Sequence, residues 1–214
     1  MKRSVAVFFL GVALPVVILS GCVPAHQLLV PPEITRPTAI DPLSPRPLGM
    51  IGAVTAVMDF SCTPPEEPNV IGRDSDRVRQ IVWEGDPGRL MADLVAGALS
   101  ERGASAFRVR DEKDGQAPED SLTIINGSIR QFEVNIRRRS IIKAYIEATV
   151  EMTLSVSGRG GSAPWETSIW SSYVMQEVVP LPDDVRKALS FAANSAADEA
   201  AKRLKEREAT ENTR

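Results

Sequence analysis

Histidine is almost missing from this chain: His26 is the only one in 214 residues, and cysteine occurs only as Cys22 and Cys62. That scarcity excludes metal centres built from Cys and His. It also removes the imidazole base that usually activates a Ser or Cys nucleophile, and no Ser-x-x-Lys stands at a predicted helix start to replace it. Neither a Gly-x-Gly-x-x-Gly nor a phosphate loop is present, and Gly158-Arg159-Gly160-Gly161-Ser162 falls between two predicted strands, where glycines make a hairpin turn. Excess positive charge is lacking too. Lys and Arg number 25 against 28 Asp and Glu, a formal net charge of −3, which argues against nucleic acid as a partner. The carboxylate pairs Glu66-Glu67 and Asp183-Asp184 fall in a loop and at a helix start, as solvated or capping groups. These absences point to a protein that binds rather than catalyses, with no metal and no cofactor.

What is present begins at the N-terminus. Lys2 and Arg3 precede an apolar run from Val5 to Leu19, too short for a membrane span of ~20 residues but suited to an export signal. It ends in Leu19-Ser20-Gly21-Cys22, a cysteine directly after two small residues, which resembles a bacterial lipobox. The expectation is a signal peptide over 1–21, cleavage before Cys22, and acyl chains on Cys22 that hold the protein to a membrane. Two or more chains anchor stably where one does not. Cys62 is then the only remaining thiol and has no cysteine to pair with.

From Val23 to Met50 prolines recur at 24, 31, 32, 37, 42, 45 and 47. Together with Cys22 this is the predicted linker, 22–50, an extended spacer reaching about 80–90 Å at ~3.1 Å per residue. One domain is expected over 51–207 and a charged tail over 208–214. Residues 53–60 read as a buried strand, and 61–85 as a long irregular stretch in which Gly72 is a turn residue of positive φ. Asp86-Pro87 caps a helix that Gly103 stops. Phe107-Arg108-Val109 is a short strand. The even-numbered residues from Ile142 to Val156 are apolar and the odd ones mostly polar, the period of a strand with one buried face. Its partner is Leu122–Ile136, and Trp165–Val178 is the next strand. Asp183 or Asp184 then caps an alanine-striped helix, which frays after Leu204. The order is β-α-β-β-β-α, an α+β fold with an antiparallel or mixed sheet and two helices on one face.

Two features suit binding. Arg137, Arg138 and Arg139, with Lys143 close by, place positive charge at a hairpin tip of an acidic protein, where guanidinium groups engage phosphate or carboxylate. Trp165 and Trp170 have opposite strand parity, so one of them faces away from the core; an exposed Trp170 is a candidate contact anchor.

The chain also resembles a known family. After the lipobox and proline-rich segment, Val57-Met58-Asp59 ends a strand, Ile71-Gly72-Arg73 follows, and Leu99-Ser100-Glu101-Arg102-Gly103 closes a helix. This is similar to the YajG-type lipoproteins, and more loosely to the auxiliary lipoproteins of ABC-type envelope transport systems. The resemblance implies a non-catalytic envelope protein. The expected function is an accessory or adaptor subunit of an envelope transport or assembly system, with an envelope protein as partner. The alternative is a structural lipoprotein that contacts the cell wall or forms a homo-oligomer. Val23 after the acylated cysteine, where inner-membrane retention usually has Asp, favours the inner leaflet of the outer membrane, facing the periplasm.

Overall fold

A computed structural model of the chain describes residues 27–36, 54–62, 69–75, 77–109, 121–140, 142–158 and 164–211. The fold is α+β: a mixed nine-stranded sheet and two helices. Its spine is β7 (Ser121–Ser140), 20 residues long. Along one edge β7 pairs antiparallel with β8 (Lys143–Gly158), and β8 pairs antiparallel with β9 (Trp165–Glu177). The other edge of β7 is shared by three short parallel strands in turn: β2 (Val54–Met58), β3 (Ser61–Cys62) and β4 (Val70–Asp74). Outside β2 lies β6 (Ser105–Val109); outside β4 lie β5 (Arg79–Trp83) and then β1 (Gln27–Val30).

The alternation in β8 works as its residues dictate. Every even residue from Ala144 to Val156 is buried, while the odd residues Tyr145 to Ser157 are half-exposed. The buried face is covered by α1 (Pro87–Glu101) and α2 (Pro182–Glu211). Asp86 caps α1 by accepting from the backbone N–H groups of Gly88 (2.9 Å) and Arg89 (3.1 Å), and Gly103 leaves the helix with φ 87°. In α2 the stripe of Val185, Ala188, Leu189, Ala192, Ala193, Ala196, Ala197 and Ala200 is wholly buried, and side chains this small seat the helix directly on β8 and β9.

Several expectations need correction. The order has more strands than β-α-β-β-β-α: five precede α1 and four follow it. The extra strands β3, β4 and β5 fall in the stretch read as irregular. Gly72 lies within β4, paired with Ile81 and Val134; it is glycine because backbone approaches it closely, not because of a turn. Pro182 begins α2, so Asp183 and Asp184 lie inside its first turn, where the Asp184 carboxylate accepts from the Leu181 N–H at 3.0 Å. That helix continues to Glu211, past Leu204 and through most of the expected tail.

The linker differs most. Residues 27–36 are docked, not spacer: β1 forms the sheet edge beside β5 with Leu28 and Val30 buried, and Ile34 is buried as well. Arg36 then reaches both helices. Its Nε and Nη2 donate to Glu101 at 2.7 and 2.5 Å, and Nη2 also donates to Asp198 at 2.6 Å. The predicted linker residues 37–50 lie outside the described residues. Cys22 and the signal segment lie outside the described residues.

Candidate functional site

The arginine triplet is not a turn. Its residues end β7, with Arg137 opposite Tyr145, Arg138 opposite Ala144 and Ser140 opposite Lys143, and a bulge between Arg138 and Ser140 absorbs Arg139. Strand alternation then separates the three. Arg137 is exposed on the helix-free face with Tyr145, Arg138 is half-buried on the helix side with Ala144, and Arg139 is exposed with its guanidinium 5.4 Å from the Tyr145 ring centroid. Arg139 thus packs on Tyr145, a partner that sequence reasoning passed over, with Arg137 across the strand pair from it and Lys143 two residues before it on the same face. Cation–π contact at an exposed site contributes about 0.5–1 kcal/mol.

Trp170 faces out, 63% exposed, opposite Glu151 on β8. Trp165, of opposite parity, is half-buried with Arg207 over its ring at 5.2 Å. Val174, 53% exposed, shares the open face with Trp170. On the helix side of the same strand Tyr173 stacks on Phe191 of α2 at 4.7 Å, with Phe191 still 55% exposed. The outer backbone edge of β9 pairs with no strand among the described residues. It carries no Pro or Lys from 165 to 177, the devices that usually blunt such an edge. Apolar side chains therefore flank, on both of its faces, an edge that carries no strand, and only the Ser168 carbonyl along it is taken, by the Arg203 guanidinium of α2 at 2.8 Å, among the bonds given for the described residues.

The arginines and Trp170 are not one site. Arg137 is level with Tyr145 and hence with Gln176, and Trp170 lies about 20 Å further along β9 at ~3.4 Å per residue. Between them the open face is acidic and amide-lined. Glu133 accepts from Gln131 at 2.5 Å and from Asn135 at 2.7 Å, Glu147 lies opposite Val174, and Glu151 pairs loosely with Arg130 at 3.9 Å. No group of three or more His, Cys, Asp or Glu gathers in a metal-holding arrangement among the described residues. Cys62 is a free, half-buried thiol; burial pushes its pKa up, and the charge of Asp86 adds to this. Asp59 pairs with Arg108 at 3.0 Å, and Arg108 also holds Asp93, so Asp59 ties β2 to β6 and α1.

The Arg36 clamp had no signal in the sequence beyond one of two arginines among prolines. Hydrogen bonding to Glu101 raises the Arg36 pKa, against the desolvation of its partly buried guanidinium. At Asp198 burial works against the carboxylate, but hydrogen bonds from Arg36 and Arg102 outweigh it and hold the pKa below the usual range. A carboxyl with a depressed folded pKa stabilises the fold above its unfolded value of about 4, and that contribution is lost as pH falls through the lower folded value. Because Asp198 is 47% exposed, Asp198→Asn should cost less than about 1 kcal/mol at neutral pH. The variant and the wild type should converge in acid. Thermal melts at neutral pH and at about pH 3 check both.

No family model matches the chain, and no curated protein matches it either. Solved structures do. A Xanthomonas campestris protein of the DUF330 family is similar with a TM-score of 0.51 and 14% identity, over 81% of this chain and 91% of that one. The PelC dodecamer from Paraburkholderia phytofirmans gives a TM-score of 0.42 and 14% identity, over 70% and 84%. A minor lipoprotein from Acinetobacter baumannii gives a TM-score of 0.31 and 9% identity, over 74% and 94%. At such identities what is shared with the first of these is the fold.

Proposed function

We propose that this protein is a non-catalytic accessory or adaptor subunit of an envelope transport or assembly system. It is anchored by acyl chains on Cys22 to the inner leaflet of the outer membrane and faces the periplasm. The lipobox-like Leu19-Ser20-Gly21-Cys22 and the resemblance to YajG-type and transport-auxiliary lipoproteins support the anchoring and the setting. The observation that carries the binding role is the free β9 edge with Trp170 63% exposed beside it. An unpaired edge offers backbone donors and acceptors to a partner strand, and an adjacent exposed tryptophan is the residue type that most often anchors a protein contact.

The test is affinity purification from crosslinked envelopes with the wild type, Cys22→Ala and Trp170→Ser. A transport or assembly subunit should be recovered with the wild type and lost with Cys22→Ala. Trp170→Ser should weaken recovery about tenfold or more while leaving the melting temperature within ~2 °C, as for an exposed anchor. Recovery of only further copies of this chain, or of peptidoglycan fragments, would replace the adaptor reading with the structural one.

A further inference from the structure

We infer that one end of the sheet is a membrane-docking face, which lays exposed cations and apolar loop tips against the anionic headgroups of the leaflet that holds the lipid anchor. The inference rests on the acylation of Cys22.

Register brings the elements of this face together. Gln27, the first described residue, is level with Gln80; Gln80 is level with Arg73, and Arg73 with Asn135 of the spine. The start of β1, the β4–β5 turn, the β7–β8 turn and the exit from β9 at Glu177 therefore all lie at one end. The chain between Cys22 and Gln27 is short. Five residues fully extended reach at most about 17 Å, whereas the spacer expected from the prolines would have reached several times further. From the level of Asn135, β7 runs on to Ser140, about 17 Å at ~3.4 Å per residue. The tip of the β7–β8 hairpin therefore projects about as far toward the bilayer as the tether allows. The opposite end of the 20-residue spine lies roughly 65 Å away, beyond the reach of any headgroup.

The chemistry of this end differs from that of the whole chain. The net charge of the protein is −3, yet here Arg73, Arg77, Arg137, Arg139 and Lys143 are exposed. Asp76, next to Arg77 in the sequence, offsets one of these cations; most other acids nearby are paired or buried. Asp74 is buried against Arg79 at 2.9 Å, Asp183 pairs with Arg186 and Asp184 with Lys187, and Glu177 is half-buried. Apolar side chains stand among the cations: Val78 is 81% exposed, Ile142 64%, Val178 60% and Leu181 56%. Val78 also has φ 51°, a left-handed conformation that disfavours a β-branched residue. The β4–β5 turn thus presents an apolar side chain to the outside at a conformational cost. Cations strengthen attachment to anionic lipid about fivefold each, and apolar tips among them suit the headgroup–acyl boundary.

The test uses the full acylated protein in vesicles of phosphatidylethanolamine and phosphatidylglycerol that carry a headgroup-region quencher. A fluorophore is placed on Val78→Cys, Ile142→Cys or, at the far end, exposed Ser105→Cys, each with Cys62→Ala. Quenching at positions 78 and 142 should exceed that at 105 by about threefold or more. It should fall toward the level at 105 when Arg77, Arg137, Arg139 and Lys143 are all changed to Ser, or in high salt, which screens exposed charges. The mass of the purified protein reports the diacylglycerol adduct on Cys22. Equal quenching at all three positions in a vesicle-bound protein with the adduct overturns the docking face and leaves the anchor standing. Absence of the adduct overturns both. Undiminished quenching in the four-serine variant overturns the role of the cations.

Discussion

Trp83→Ala should destabilise the protein by about 3–5 kcal/mol, the usual cost of emptying a large aromatic site. For a chain of this size that lowers the melting temperature by roughly 6–20 °C. Trp83 is 2% exposed and is the last residue of β5. It pairs with Val30 of β1 and lies with its ring 5.2 Å from that of Phe132 in the spine. The indole therefore joins the outlying β5–β1 ribbon to β7 through side-chain contact as well as through β4. Truncation leaves a void where the Phe132 contact was, and the strands around it cannot close in without breaking register. Trp83→Phe keeps most of the ring and should cost no more than about 1.5 kcal/mol, as a hydrophobic change of modest volume. Thermal or denaturant unfolding of the two variants side by side measures the difference. Equal effects would show that the ring is not the link.

The second large effect is expected at Gly72. A methyl group there would lie 1.7 Å from the carbonyl oxygen of Val134, 2.7 Å from its carbonyl carbon and 3.0 Å from its nitrogen. All three atoms belong to the backbone of the spine, so no rotamer relieves the clash; β4 has to move away from β7. Because, among the described residues, the backbone pairing of β5 and β1 reaches β7 only through β4, the displacement passes to them. Gly72→Ala is expected to cost about 3 kcal/mol or more, a fall of roughly 6–12 °C in melting temperature, and to speed hydrogen exchange in β4, β5 and β1. Gly97 in α1 is the control. Its added Cβ meets nothing nearer than the Arg36 Cδ at 3.4 Å, so Gly97→Ala should leave stability unchanged or raise it by up to about 1 kcal/mol. A mild Gly72→Ala would mean that the β4–β7 contact is looser than this geometry.

The parts of the fold legible in the sequence were those with a long, regular period. The alternation through β8 and the alanine stripe of α2 repeat often enough to declare their buried faces. The Asp86-Pro87 start and Gly103 stop of α1 follow from local backbone chemistry. What escaped was short and held by distant partners. β1 is the four-residue Gln-Leu-Leu-Val, too brief for a period and followed by prolines that suggest extension rather than docking. β4 contains Gly72 and a buried Asp74, residues that read as a turn. Gly72 is explained only by the close approach of Val134, and Asp74 only by Arg79 across the β4–β5 pair. At the candidate sites, parity alone placed Trp165 and Trp170 on opposite faces, because alternation is a property of one strand. It did not show that β7 carries its pairing out to Ser140 and so spreads Arg137, Arg138 and Arg139 over different directions. Nor did it show Phe191 beside the β9 edge, which depends on how α2 lies.

The parallel pairing of β1 with β5 also has a mechanical meaning. β1 begins at Gln27, and the pairs Gln27–Gln80 to Val30–Trp83 run on from that point along the strand. A pull on the N-terminal side of Gln27, directed along β1, loads these hydrogen bonds together in shear rather than opening them one after another. Beyond them the Arg36 fork on Glu101 and Asp198 acts as a second stop. Tension applied at the start of β1 would therefore meet its greatest resistance where the described domain begins.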